Sequence, residues 1–285
     1  MTIFETLKLL GLSSESTRKI YAERTRDISP LTVYKDDLSD VIFIDDFYTG
    51  TETYSDGSYR PENYSDYLEA KQDCQRRGDT FQKFYNGCEV LDFGCGSGDF
   101  LRAVQGDCVT AKGIELQRNY VDDLNANGIP CFDSLNSIDE RSLDTIFSFH
   151  VLEHLPDPLA SLLEMKTKLR TGGRLVIEVP HANDFLLDIA CNEEFKRFTL
   201  WDQHLILHTR NSLKVMLAHC GFRDILIEGV QRYPLSNHLQ WLSRGVPGGH
   251  KSKFSMIDCD ELHSAYSGAL GRLDCTDTLV AVASI

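Results

Sequence analysis

Residues 90–98 read Val-Leu-Asp-Phe-Gly-Cys-Gly-Ser-Gly, and this stretch decides the fold. A short apolar run of β type, Cys88 to Phe93, carries Asp92 near its end and then breaks into Gly94, Gly96 and Gly98. A helical stretch, Asp99 to Val104, follows at once. Glycines at alternate positions let the backbone turn tightly and approach a ligand closely, because no Cβ intervenes. The helix that starts there offers unpaired N–H groups. Seventeen residues past Gly98, a second strand-like run, Ala111 to Ile114, ends in Glu115. A carboxylate at the tip of a second strand is placed to accept hydrogen bonds from both ribose hydroxyls of a nucleoside. A lone Gly-x-Gly would read as an ordinary glycine-rich turn. Here strand, loop, helix, strand and acid fall in order.

The loop also selects the ligand. A dinucleotide fingerprint needs Gly-x-Gly-x-x-Gly, and Asp99 stands where its third glycine belongs. A Walker loop needs Gly-Lys-Ser/Thr, which is absent. The acid two residues before Gly94 is a poor neighbour for a pyrophosphate and a good one for a cationic, zwitterionic ligand. On these residues the chain resembles the class I S-adenosylmethionine-dependent methyltransferases. "LDFGCGSG" is similar to their first motif, and "GIEL" (113–116) to their second-strand acid segment. "CFDSL" (131–135) is similar to their adenine-contact segment, and residues 143–180 to their fourth and fifth strands with the helix between. The resemblance covers roughly residues 64–230 and returns at 277–285. It implies S-adenosylmethionine as cofactor, held by Asp92, Gly94, Cys95, Gly96, Gly98, Glu115, Leu116, Asp133, Ser134 and His150.

Composition agrees with a soluble, cytoplasmic enzyme. Of the 285 residues 42% are apolar, and no run approaches the roughly 20 apolar residues a membrane span needs. Met1 to Leu12 is a mixed amphipathic stretch carrying Glu5 and Lys8, unlike a signal peptide. Nine cysteines without a Cys-x-x-Cys pair read as reduced thiols, not as a disulfide or zinc framework. A net charge of −14 argues against nucleic acid, whose phosphates demand a basic face.

Strands are expected at 88–93, 110–115, 129–132, 143–149, 174–179, 224–230 and 277–284. Asp157 and Pro158 read as the start of a helix that runs to about Leu169 and is stopped by Gly172-Gly173. Thr209 caps another that ends at Gly221. Strands alternating with helices give an α/β fold, a parallel doubly wound sheet with ligands at the strand C-terminal ends. The resemblance makes it the Rossmann-like, seven-stranded class I methyltransferase fold, with 277–284 as an antiparallel seventh strand. Residues 64–285 form the methyltransferase domain. Residues 1–63 form an N-terminal helical and aromatic appendage, with short helices at 3–10 and 16–26 and a strand at 41–44. Tyr48, Tyr54, Tyr59, Tyr64 and Tyr67 make it aromatic, suited to core packing or to stacking on a substrate. "VYKDDLSDVIFID" (33–45) resembles the zinc-binding module of some sugar C-methyltransferases, but its cysteines are missing, so no metal is expected there.

Two features bear on the acceptor. Between the sixth and seventh strands about 46 residues (231–276) intervene where the minimal fold has a tight hairpin. From Gly229 to Ile257 this insertion has Arg232, Arg244, Lys251, Lys253, His238 and His250 and no Asp or Glu. A purely cationic stretch leaving the sixth strand beside the cofactor face suggests attraction of an anion; a solvated surface loop is the plainer reading. Gly248-Gly249 could present N–H groups, and Tyr233 and Trp241 could stack on a sugar or base. The Arg-Tyr-Pro, Asn-His, Trp-Leu and Pro-Gly-Gly-His order resembles methyltransferases of bacterial surface-polysaccharide gene clusters. On that basis Arg232, Tyr233, Asn237, His238, Trp241, Arg244 and His250 are the substrate candidates.

The second feature is histidine. A sugar hydroxyl is a poor nucleophile that benefits from a general base near neutral pH. His150 and His154 flank the fourth strand's tip with Glu153, His181 follows the fifth, and His204 precedes the Thr209 helix. Each alone reads as a cap or a core histidine; together they point to one face, with His204 the leading base and His181 the second. Glu153, His154 and His204 also match part of the magnesium motif of plant small-RNA methyltransferases, but His150 replaces its first acid. Imidazole for carboxylate weakens a magnesium site, so no metal is expected, with those three as the alternative ligand set. The function expected is O-methylation of a small anionic, sugar-containing substrate. A sugar C-methyltransferase, a quinone or polyketide O-methyltransferase and a cofactor-binding scaffold are its rivals. The oligomeric state, homodimer included, stays open.

Overall fold

In the computed structural model, residues 1–50 and 64–285 are described, and of residues 64–70 the backbone alone. Tyr54, Tyr59 and the side chains of Tyr64 and Tyr67 therefore lie outside the described residues. Helix α1 (Ile3–Leu9) is closed by a capping box: Thr2 Oγ1 accepts the Glu5 N–H, and Glu5 accepts the Thr2 N–H. Its Phe4 stacks on Phe43, 5.9 Å between ring centres.

Residues 16–26 are not helical. Arg18–Ala22 is strand β1, paired antiparallel with β2 (Val33–Asp36), which pairs in turn with β3 (Ile42–Ile44). Ile20 is 65% exposed, as suits an edge strand, and what fixes the strand is its partner rather than its own composition.

Helix α2 (Tyr64–Tyr85) leads into β4 (Glu89–Phe93), α3 (Asp99–Val104), β5 (Thr110–Ile114), α4 (Arg118–Ala126) and β6 (Cys131–Phe132). Then come β7 (Leu143–Phe149), α5 (Pro158–Lys168), β8 (Leu169–Pro180), α6 (Phe185–Asp188) and α7 (Glu193–Thr199). The two-residue β9 (Ile206–Leu207) precedes α8 (Arg210–His219), which carries the expected Thr209 cap. After β10 (Arg223–Val230) the chain forms α9 (Leu235–Arg244), α10 (Asp260–Leu273) and β11 (Thr278–Ser284). Asp157 caps α5 as expected, but the helix ends before the glycine pair, because Leu169 already pairs with Leu143 of β7.

The main sheet has seven strands in the order β10-β11-β8-β7-β4-β5-β6. The pairs β8–β7–β4–β5–β6 are parallel, and β11 is antiparallel to both neighbours. This is the expected Rossmann-like α/β architecture. Its central strands are buried on both faces, and in β7 every residue but Asp144 is buried. Phe100 of α3 meets Phe147 and Phe149 edge-on at 5.0 and 5.1 Å. Successive strands depart in opposite directions from β4, which leaves a crevice at its C-terminal end and that of β7.

The first residues are not a free appendage. β9 completes the β1-β2-β3 sheet through Phe43 and Ile206, and Ile3, Phe4 and Leu7 share a hydrophobic cluster with Leu91 and Ile177. The interval 231–276 is likewise not a loop but two helices joined by short 3₁₀ turns.

Candidate active site

The crevice is a cavity of about 1180 Å³. One half is made by the loop after β4. Asp92, Gly94, Cys95 and Gly96 line it, with Glu115, Leu116, Asp133, Ser134 and His150. Gly96 has φ +54°, and nothing lies within 4 Å of where its Cβ would stand, so the backbone there is bare toward the cavity. Gly98 differs from the expectation. It does not line the cavity; it starts α3 at φ +73°, where a Cβ would come within 2.3 Å of Leu124.

Glu115 is committed to the loop itself. One oxygen accepts the Gly96 N–H at 2.7 Å, the other those of Leu116 and Gln117 at 2.8 and 2.9 Å. Three backbone donors fix the carboxylate's position, and through Gly96 it fixes the loop.

Asp92 is 3% exposed, and its Oδ1 has no hydrogen-bond partner. Burial pushes its carboxyl up to about 7, with Arg77 opposing and Glu115 assisting. An orphaned carboxylate oxygen beside bare glycine backbone fits a ligand that carries positive charge. Binding such a ligand favours ionised Asp92, so affinity should fall as pH drops through about 7. Between about pH 8 and pH 6 the loss should reach about tenfold, and Asp92→Asn should abolish the dependence. Titration with S-adenosylhomocysteine, whose ammonium supplies that charge, checks it.

Behind this half lies a buried ionic network that the sequence reading did not assemble. His150 closes β7 in the left-handed region, φ +55°, and its N–H donates to the Glu178 carbonyl at 2.8 Å. Its Nδ1 lies 3.2 Å from Glu153 Oε1, and its Nε2 lies 3.2 Å from Glu178 Oε1 and 3.1 Å from Arg232 Nη1. Burial and Arg232 work against its protonation, but the two glutamates outweigh them and raise its pKa. Arg76 and Arg77 of α2 donate to Glu178 at 2.7–2.9 Å, and Arg232 pairs with Asp73 through two nitrogens. A lone acid inside the apolar run Val176–Val179 was the readable signal for Glu178, since a buried charge needs partners.

The catalytic candidates separate. His204 lines the cavity. It is brought there because Leu205 N–H donates to the Glu153 carbonyl at 2.8 Å and β9 pairs with β3. Its ring stands 5.0 Å from His154 and 5.1 Å from Trp201, and its Nδ1 has no hydrogen-bond partner. Burial, then the neighbouring His154, push its pKa down to about 3. His181 is not on the wall. At 1% exposure it lies in the core and donates from Nδ1 to the Thr276 carbonyl at 3.0 Å, because alternation along the chain turns it away where Pro180 faces the cavity.

Glu153, His154 and His204 bring ligand-type atoms within 4.8 Å of one another. Glu153 is held ionised at about 2: burial opposes this, but the hydrogen bond to His150 and the nearby histidines prevail. Glu153 Oε2 has no hydrogen-bond partner.

The insertion forms the far wall. Tyr233, Asn237, His238, Trp241 and His250 line it, with Lys251, which was not among the substrate candidates. Asn237 Oδ1 accepts the Gly248 and Gly249 N–H groups at 3.2 and 3.3 Å, so that glycine pair is engaged internally. His238 bonds the Tyr266 hydroxyl through Nδ1 at 2.6 Å and stacks on Phe185. Trp241 packs 5.2 Å from both Phe195 and Phe198. Arg244 is outside the cavity; it is exposed over the Phe254 ring at 5.6 Å. Arg232 reaches the wall with its charge already met by Asp73, so neither arginine is an open clamp.

A family model described as a methyltransferase domain matches residues 59–227. The chain belongs to that family, the S-adenosylmethionine-dependent methyltransferases. S-adenosylmethionine is the cofactor of its site, and Asp92, Gly96 and Glu115 are the residues that fit it. Among similar proteins is a tRNA U34 carboxymethyltransferase of Proteus mirabilis (strain HI4320), 31% identical over 153 residues, 48% of this chain and 45% of the relative. Its counterpart in Azotobacter vinelandii (strain DJ / ATCC BAA-1303) is 35% identical over 154 residues, 49% and 46% of the two chains. The chain thus spans a little under half the length of these curated relatives. The crystal structure of a SAM-dependent methyltransferase from Archaeoglobus fulgidus superposes with a TM-score of 0.55 at 20% identity, covering 78% of this chain and all of that one. That likeness is one of fold. No helix among the described residues is long and apolar enough to cross a membrane.

Proposed function

We propose that the protein transfers a methyl group to an oxygen of a small anionic, sugar-containing acceptor, as in the enzymes of surface-polysaccharide gene clusters that it resembles. The supporting observation is the cavity's second half. There Phe195, Phe198, Trp201, Trp241 and Tyr233 line the wall with rings, and Lys251 and, when protonated, His250 add cationic groups. Ring faces take a sugar or a base, and the cations take a phosphate or carboxylate. On this reading residues 64–285 are the methyltransferase domain, 231–276 its acceptor wall and 1–63 an accessory segment. Nine unpaired cysteines suit a reducing, cytoplasmic setting.

When bound, the cofactor supplies an electrophilic methyl group on a sulfonium. The chain's residues do the rest. Gly96 and Glu115 hold the nucleoside end, and Asp92 holds positive charge. The aromatic wall orients the acceptor and keeps water from it. Burial and the neighbouring His154 favour neutral His204, whose ring nitrogen can then accept a proton, as a weak base.

His204→Ala should lower kcat about ten- to a hundredfold with a smaller change in acceptor KM. EDTA should leave turnover intact. Loss to EDTA with rescue by a divalent ion would make Glu153, His154 and His204 ligands instead.

The second reading is a tRNA acceptor, which the relatives' name carries. A net charge of −14 speaks against it, because phosphate neutralisation needs basic surface. Labelled-methyl transfer from S-adenosylmethionine, followed by mass spectrometry, separates the readings. Sugar phosphates, nucleotide sugars, quinols and unmodified tRNA are offered in parallel. Label on an anionic sugar oxygen is expected; label confined to carbon, to quinols or to tRNA overturns the proposal.

A further inference from the structure

We infer that Cys95 and Cys131 form a reversible oxidation site that controls the cofactor loop. This goes beyond the acceptor reading and does not depend on it. The two Sγ atoms lie 3.8 Å apart and share a hydrogen bond. They belong to different elements, Cys95 to the loop after β4 and Cys131 to β6, and both sit over Gly113. A Cβ on Gly113 would come within 2.6 Å of one sulfur and 3.1 Å of the other, so glycine there leaves the room the pair occupies. Cys95 lines the cavity, which gives a small oxidant access, whereas Cys131 is 3% exposed.

The chemistry balances with a peroxide as oxidant. Cys95 sulfur attacks the O–O bond, which breaks; one oxygen stays on sulfur as sulfenic acid, and the other leaves as water with the Cys95 proton. Cys131 sulfur then attacks the sulfenic sulfur. The S–O bond breaks, and a second water leaves with the Cys131 proton. Both sulfurs are oxidised by one electron each, and the peroxide is reduced to two waters.

Closing 3.8 Å to a disulfide bond of about 2.05 Å requires one side to move. Cys131 is held: its N–H donates to Asn125 Oδ1 at 3.1 Å and its carbonyl accepts from Asn125 Nδ2 at 2.9 Å. Cys95 is tied as well, its N–H donating to the Ile114 carbonyl at 3.0 Å and its carbonyl accepting the Gly98 N–H at 2.9 Å, but it lies between Gly94 and Gly96, both at positive φ, where backbone without a Cβ can re-aim. The disulfide therefore draws the loop toward β6 and shifts Gly96 off Glu115. The oxidised protein loses cofactor affinity, and bound cofactor, by the same linkage, slows the oxidation.

The test treats the full chain with hydrogen peroxide, blocks remaining thiols and maps peptides without reduction. A Cys95–Cys131 cross-linked peptide, two hydrogens lighter than the reduced pair and cleaved by dithiothreitol, is expected. Titration with S-adenosylhomocysteine should show at least tenfold weaker binding after peroxide, restored by dithiothreitol. Saturating S-adenosylhomocysteine should slow formation of the cross-link. In Cys131→Ser, affinity should not respond to the same treatment; if that variant does not fold, the wild-type reversal and peptide map decide. No Cys95–Cys131 peptide, or a cross-link that leaves affinity unchanged, overturns the inference.

Discussion

Arg232→Ala should lower the stability of the folded protein by about 1.5–3 kcal/mol, because it removes two charge-assisted hydrogen bonds from Asp73 and leaves that carboxylate to Arg76. Asp73 side-chain exposure is 15% and that of Arg232 is 22%, so water rescues neither in full. Arg232 also donates from its backbone N–H to Asp277 at 2.9 Å, and its Nη1 lies 3.1 Å from His150 Nε2. The backbone bond survives the substitution, and the guanidinium bonds do not. Urea unfolding should register the loss, and the double variant Asp73→Ala/Arg232→Ala should recover part of it, since no half-paired carboxylate is left. Arg244→Ala, over an exposed Phe254 ring, should stay within about 0.5 kcal/mol of the parent. Equal effects of the two arginines, or a change only in acceptor KM for Arg232→Ala, would mean that Arg232 is a ligand clamp after all.

Glu115→Ala should weaken cofactor binding by about 1.5–3 kcal/mol, the range for hydrogen bonds to a charged group. That is about ten- to 150-fold in Kd. Two causes act together. The carboxylate offered to the ribose disappears, and the Gly96, Leu116 and Gln117 N–H groups lose the acceptor that orders the loop. Glu115→Gln keeps one acceptor oxygen and should fall between the two. Calorimetry with S-adenosylhomocysteine on folded variants measures both. Unchanged affinity in Glu115→Ala would remove Glu115 from the cofactor site.

What was legible in the sequence was what is local. Asp92, the glycine loop, Glu115 and Ser134 fall within about 45 residues, and one strand–turn–helix grammar fixes where each stands. The central strands were readable because burial on both faces selects mostly apolar residues, as in Leu175–Val179, which Glu178 alone interrupts. What was not legible depends on distant partners. Arg232 reads as a free cation until Asp73, 159 positions away, is seen against it. Arg18–Ala22 was mistaken for helix because an edge strand takes its identity from β2, not from its own pattern. Asn237 was expected to meet substrate, yet its carbonyl oxygen is spent on Gly248 and Gly249 across an eleven-residue gap that no spacing rule predicts. His204 was expected on this face and lines the cavity, but its low pKa comes from burial and from the neighbouring His154, surroundings that only the assembled β9 segment creates.

The central claim is that the loop after β4 and the carboxylates of Asp92 and Glu115 form an S-adenosylmethionine site. Its most direct test is calorimetric titration of the reduced full chain with S-adenosylhomocysteine at about pH 6 and about pH 8. The account predicts saturable binding at one site per chain, about tenfold tighter at the higher pH because ionised Asp92 is then dominant. A folded protein that binds nothing saturably, or binds with no dependence on pH across Asp92's range, would contradict it.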